Sequence, residues 1–209
     1  MSEVEVENLS PPVIQARSED PWNRLFVDLE AIESNYGHIS SKLPGGAAFY
    51  AVLKSDAYGH GIAEVSRVLY DAGCRRFAVE SPQEGIRLRN EGIKGEILLM
   101  NPIPAWMAEL SVRHDLSVSV IHISILGHLE EAAALMGRTA RIHINANIGL
   151  NRLGASPKKI TAIARKATEM GHIELAGLFG QPRDSASADD SYRRLMEIAS
   201  TLREKGLDP

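Results

Sequence analysis

A parallel α/β fold, built from strand–helix units and about two units short of closing on itself, is predicted by three observations. Short apolar runs rich in β-branched and aromatic residues alternate with longer stretches of helical period. The turns between them are only a few residues long, so each helix has to carry the chain back across the sheet, which makes neighbouring strands parallel. Leaving aside the first strand, six such units follow one another, whereas a closed barrel of this kind needs eight. The class is therefore α/β of the (β/α)8 TIM-barrel type, incomplete in this chain, with a doubly wound open sheet as the alternative that six strands would satisfy.

The elements read in order. Residues 24–28 (RLFVD) predict a first strand, and LEAIESNYGHISSKL from Leu29 predicts a helix ended by Pro44, Gly45 and Gly46. Residues 47–53 (AAFYAVL) form an apolar run long enough for a buried strand and too short for a helix. From Ile62 the pattern turns helical, with Ile62, Val65, Val68 and Leu69 on one face and a stop at Gly73. RFAVE at 76–80 is a strand, and Ser81-Pro82-Gln83-Glu84 opens a helix with a capping box and a proline in its first turn. EILLM at 96–100 is a strand, 104–112 a short helix, 116–121 a strand and 124–136 a helix rich in alanine and leucine. TARIHIN at 139–145 is a strand, and Ser156-Pro157 starts a helix to about residue 170. A strand at 173–179, a polar loop and a helix from about 188 to 205 complete the chain.

The 209 residues suit one domain, or one domain and part of another. Residues 1–21 are acidic and contain prolines, without the basic start and apolar centre of a signal peptide, and are expected to be a peripheral arm. Residues 22–209 form the barrel portion. A net charge of -4 gives no electrostatic case for nucleic acid or an anionic membrane. No apolar run reaches spanning length, so a cytoplasmic location is expected. Cys74, the one cysteine, reads as a small core residue rather than a reactive thiol. The seven histidines form no metal-ligating spacing, and no dinucleotide or phosphate-loop fingerprint is present.

The chemistry concentrates at AVLKSDAYGHG, residues 51–61. Lys54 stands where a strand ends, and in parallel α/β folds the carboxyl ends of strands form the reactive rim. An amine whose stem is rooted in an apolar strand loses solvation, the condition that covalent-catalysis lysines exploit. A second candidate is INANIGLNRLGAS, residues 144–156, which sets Arg152 in a rim loop where a fixed cationic fork meets a carboxylate or phenolate oxygen.

AVLKSDAYGHG closely resembles the pyridoxal phosphate lysine motif of alanine racemases. The resemblance implies that Lys54 holds the cofactor covalently and serves as base on one face, and that Tyr58 binds the phosphate. The loop of Arg152 resembles the pattern D-T-G-M-x-R-L-G, matching at Gly149, Arg152, Leu153 and Gly154. It departs at Asn147 for aspartate, Ile148 for threonine and Leu150 for methionine. Arg152 is thereby implied to contact the cofactor's phenolic oxygen and the substrate carboxylate. Asn145 stands where many relatives carry a lysine that helps orient the arginine; an amide holds it directly or through an anion. LAGLFGQP, residues 175–182, resembles L-E-G-L-x-T-H-F, with Gly180 for threonine and Gln181 for histidine. Gln181 is implied to face the cofactor, although glutamine cannot titrate. Met100 falls at a pocket-lining position, with a plain core methionine the other reading.

The resemblance runs from about residue 24 to the last helix and implies two further barrel strands and a C-terminal β domain, both absent here. The chain is expected to be a fragment, a proteolysed product or one of two assembling pieces, and to racemise poorly or not at all by itself. The function implied is racemisation of a small amino acid, most simply L-alanine to D-alanine. The implied assembly is a homodimer or a complex with a complementing C-terminal polypeptide. The resemblance implies that a tyrosine of the partner subunit's C-terminal domain serves the opposite face. A broad-specificity racemase and a non-catalytic or degenerate binder of pyridoxal phosphate are the alternatives.

Overall fold

The computed structural model describes residues 25–45 and 47–208, so the expected arm at 1–21 lies outside the described residues. The chain divides into two compact units, one of the described residues up to Val79 with Ile86–Glu96, the other of Glu80–Gly85 with Ile97 onward.

The first unit contains α1 (Leu29–Ser40), β1 (Tyr50–Val52), a five-residue turn α2 (Lys54–Tyr58), α3 (Ile62–Asp71) and β2 (Arg76–Val79). The expected strand at 24–28 does not form in its described part. Residues 25–27 have no regular structure, Leu25 and Phe26 are 46% and 41% exposed, and Asp28 serves as N-cap of α1, accepting from Ala31 N at 2.9 Å. β1 is shorter than its apolar run because it pairs in parallel with the short β2, through Tyr50↔Arg76, Ala51↔Phe77 and Val52↔Ala78. The ladder gains one more bond, Leu53 N to Ala78 O at 2.8 Å, and so reaches the threshold of Lys54. α3 buries Ile62, Val65 and Leu69 as its period predicts, while Val68, expected on the same face, is only half-buried and Ser66 is buried in addition. Phe77 and Val79 are fully buried on β2, each such side chain contributing about 1.5–3 kcal/mol. Cys74 is buried and its Sγ donates to Arg76 O at 3.2 Å. Burial pushes its thiol up, and two backbone hydrogen bonds with the charge of Arg75 offset this only in part, which leaves an inert core residue.

α4 (Pro82–Asn90) opens with the expected capping box: Glu84 N donates to Ser81 Oγ at 3.3 Å and Ser81 N to Glu84 Oε2 at 3.2 Å. The second unit continues through β3 (Glu96–Pro102), the 3-10 turn η1 (Ala105–Met107), α5 (Ala108–Arg113), β4 (Ser117–Val120), α6 (Ser124–Met136), β5 (Ala140–Ala146), α7 (Pro157–Thr168), β6 (Ile173–Gly180) and α8 (Ala188–Glu204). β3 pairs with β4, β4 with β5 and β5 with β6, all parallel. Val118, Val120, Ile142 and Ile144 on the strands and Leu126, Leu129, Ile160 and Ile163 on the helices make its apolar core. The alternate positions His143 and Asn145 of β5 are also buried. Gly177 on β6 is required there, because a Cβ would stand 2.6 Å from His143 Nδ1. At the opposite end of β6, Glu130 of α6 accepts from Gly171 N at 3.2 Å, His172 N at 2.9 Å and His172 Nδ1 at 2.9 Å.

Candidate active site

Lys54 opens a turn of the wrong hand for L-residues. Ser55, Asp56, Ala57 and Tyr58 have φ between 54° and 56°, in a left-handed helical turn where the sequence predicts only a polar connection. Each left-handed residue costs about 1–2 kcal/mol because its Cβ crowds the following carbonyl, although aspartate tolerates the region better than most. Such a run persists only where its surroundings over-determine it. Ala57 N donates to Leu53 O at 2.9 Å, Gly59 N to Ser55 O at 3.0 Å, and Gly61 N to Asp56 O at 3.0 Å. His60 folds back, its Nδ1 lying 2.9 Å from Ala57 O. Gly59 and Gly61, at φ 84° and 88°, return the chain to the start of α3. Tyr58, 58% exposed, ends the turn that Lys54 begins.

Arg152 lies in the second unit, at the tip of the loop that leaves β5. The loop's base is closed by Ala155, whose N donates to Asn145 O at 2.7 Å and whose O accepts from Asn147 N at 3.0 Å. Gly154 (φ 111°) permits this closure, since a Cβ there would stand 2.5 Å from Asn147 N. The Asn147 side chain braces the interior of the loop: its Nδ2 donates to Asn151 Oδ1 at 2.9 Å, and its Oδ1 accepts from Asn151 N and Gly149 N at 3.3 and 3.4 Å. Arg152 Nη2 then donates to Gln181 Oε1 at 3.2 Å. Gln181 follows β6 directly, and the pairing of Ala146 with Gly180 brings the two loops side by side. Met100 is half-buried and sits two residues before the end of β3 rather than ending it, because the strand runs on through Asn101 and Pro102.

The chemistry is thus an amine and a phenol on one turn, and a guanidinium backed by a neutral amide on adjacent loops. Cavities of 480 Å³ beside Trp106 and Leu135 and of 260 Å³ between α1 and α3 carry none of these groups. Among the described residues no cluster of three or more His, Cys, Asp or Glu side chains suits a metal ion.

Comparison with known proteins gives the family of the chain. Residues 27–209 match the family described as alanine racemase, N-terminal domain. The chain belongs to that alanine racemase family. It is 29% identical over 191 residues to the alanine racemase of Geobacter sulfurreducens, covering 88% of this chain and 50% of that one. It is 37% identical over 191 residues to that of Ligilactobacillus salivarius, covering 87% and 51%. The alanine racemase of Clostridium difficile 630 in complex with cycloserine superposes with a TM-score of 0.81 at 25% identity, over 86% of this chain and 51% of that one. The chain spans about half the length of the curated relatives it matches. The fold is that of the alanine racemase N-terminal barrel, with six parallel strands alternating with helices.

Two of the departures from the alanine racemase pattern, Ile148 and Gly180, meet in space, and two others, Asn147 and Gln181, bond to residues of the same loops. Ile148, 3% exposed, fills space that a side chain at Gly180 would occupy, since a Cβ there would stand 2.8 Å from Ile148 Cδ1. Asn147 is matched by Asn151 and Arg152 by Gln181. None of these pairs is legible from spacing. Asp56 anchors the turn to the helix that follows: its Oδ1 accepts from Ile62 N, the first residue of α3, at 3.1 Å.

Proposed function

We propose that this chain is the cofactor-holding portion of a pyridoxal phosphate-dependent amino-acid racemase, an isomerase acting in the cytoplasm on alanine or another small amino acid. One observation carries the reading: in a chain of the alanine racemase family, Lys54 starts a strained turn at the carboxyl end of β1, with Tyr58 one turn on. The donor set suits the cofactor. Lys54 Nζ would hold the cofactor through its aldehyde carbon, the Tyr58 hydroxyl would donate to a phosphate oxygen, and the Arg152 guanidinium would meet anionic oxygens of ring or substrate. Bound pyridoxal phosphate supplies a conjugated ring that takes up the electron pair left when the substrate Cα proton departs.

The chain's own residues do the rest. Lys54 Nζ would hold or return the substrate Cα proton on one face. Arg152 orients the substrate carboxylate, and Gln181 keeps the guanidinium in place without competing for protons. Inversion needs a second acid on the opposite face, which we assign to a tyrosine of the partner copy's C-terminal domain, so the working form is a homodimer or a complex with a complementing polypeptide. The packing of Ile148 against Gly180 and the hydrogen bond of Gln181 to Arg152 favour a maintained site over a degenerate binder.

Exchange of the alanine α-hydrogen with solvent deuterium, followed in the full-length protein with pyridoxal phosphate, tests the assignment. Exchange abolished by Lys54→Ala is expected. Absence of exchange on every amino acid offered would reject the racemase reading.

A further inference from the structure

Asp56 lies midway between Lys54 and Tyr58. Two residues are slightly more than half a turn of a helix of either hand, so Asp56 projects from the side of the turn opposite both. On that side its Oδ1 accepts from Ile62 N at 3.1 Å and pairs with Arg87 Nη2 of α4 at 3.1 Å. We propose that Asp56 and Arg87 are a positioning pair that fixes the left-handed turn, and with it the Lys54 amine and the Tyr58 phenol, in the geometry that receives the cofactor. This rests on the reading of Lys54 and Tyr58 given above.

The hydrogen bonds among Leu53, Ser55, Asp56, Ala57, Gly59, His60 and Gly61 set the hand of the turn. They connect residues close in sequence and so move with the turn as a body. The Arg87 contact is different in kind, because it joins the turn to a separate helix and opposes rotation about the end of β1. Its magnitude as a stabilising interaction is small: both side chains are half exposed, at 55% and 50%, and solvent-exposed ion pairs contribute little to global stability. A pair that hardly stabilises the fold, yet sits on the one strained segment that carries both cofactor ligands, acts through placement. The same Oδ1 keeps the Asp56 carboxylate engaged away from the Lys54 side of the turn.

The test uses the full-length protein. Pyridoxal phosphate is titrated into wild type, Lys54→Ala, Asp56→Asn, Arg87→Gln, Arg87→Lys and the Asp56→Asn/Arg87→Gln double variant. Melting temperature without cofactor and amide exchange at Gly59, His60 and Gly61 are measured in parallel. Asp56→Asn keeps an oxygen for Ile62 N and removes only the charge, so folding is preserved. Asp56→Asn and Arg87→Gln should each raise the cofactor Kd roughly fivefold or more, with the double variant no weaker than the worse single one. Melting should shift by no more than about two degrees, exchange at the three amides should quicken, and Arg87→Lys should recover most of the affinity. A wild-type Kd in folded Asp56→Asn, additive losses, or a loss of affinity that merely follows a fall in melting temperature would overturn the pair. Failure of wild type to bind, or binding by Lys54→Ala equal to wild type, would instead overturn the cofactor reading. The exchange rates then judge the pair alone, with unchanged rates rejecting it.

Discussion

The Arg152 guanidinium donates to the side-chain oxygen of Gln181 at 3.2 Å, across two loops that leave neighbouring parallel strands. The arginine's partner is therefore uncharged at every pH, which separates its orientation from any titration. Both residues are exposed, so Gln181→Ala should leave folding stability within about 0.5 kcal/mol. It should weaken substrate carboxylate binding about three- to tenfold, since tenfold corresponds to about 1.4 kcal/mol, read as a rise in KM with little change in melting.

Gln181→His restores the residue of the alanine racemase pattern and brings a titrating group to the guanidinium. Below the ordinary histidine range, about pH 6.5, the protonated ring repels Arg152. Substrate affinity in this variant should fall as pH drops from 8 to 5, while the wild type shows no such component. Superimposable pH profiles would mean that position 181 does not act on Arg152.

The bracing of the Arg152 loop by Asn147 needs both ends of an amide. Asn147→Asp keeps the acceptor for Asn151 N and Gly149 N but sets a carboxylate oxygen against Asn151 Oδ1, where a donor now stands. The loss should be about 0.5–1.5 kcal/mol of local stability, visible as faster amide exchange over residues 147–154 with little change elsewhere.

The strand–helix alternation was legible because burial imposes a period on each element. The Ser81–Glu84 capping box and α6 fall where the pattern places them. Strand ends were less legible. β1 is trimmed to the reach of β2 and β3 is extended past Met100, and pairing length belongs to the partner strand rather than to the run itself. Lys54 and Arg152 could be placed from their strands. The hand of the Lys54 turn could not, because Ser55, Ala57 and Tyr58 carry no left-handed preference and only Gly59 and Gly61 hint at reversal. The Arg152–Gln181 contact depends on the β5/β6 register, a long-range quantity that local patterning does not contain.

Glu130 ties α6 to the start of β6, and its titration sets an acid limit on the second unit. Burial alone would raise its carboxyl, but the His172 imidazole and backbone, the His172 charge and Gly171 N–H together outweigh it and hold the group below its usual 4.5. A carboxyl depressed in the folded state adds stability that is fully present above the unfolded value and is lost as pH falls through the folded one. The stability gap between wild type and Glu130→Gln should therefore be greatest near neutral pH, at about 1–2 kcal/mol for the weakened hydrogen bonds. It should narrow below about pH 4.5, measured by urea denaturation at stepped pH.

Ile148 and Gly180 share one space, and a double-mutant cycle isolates that sharing. Gly180→Thr drives a Cβ to within 2.8 Å of both Ile148 Cδ1 and the Ala146 carbonyl oxygen, an overpacking that should destabilise by about 1–3 kcal/mol. Ile148→Thr by itself removes buried apolar contact and should destabilise by about 1–2 kcal/mol. Together the two changes restore both threonines of the alanine racemase pattern and remove the clash that each residue's counterpart creates. The combined loss in denaturant midpoint should therefore be smaller than the two separate losses added, though not zero, because the Ala146 carbonyl still has to move. Strict additivity would show that the two departures arose without reference to one another, and would withdraw the packing argument for a maintained site.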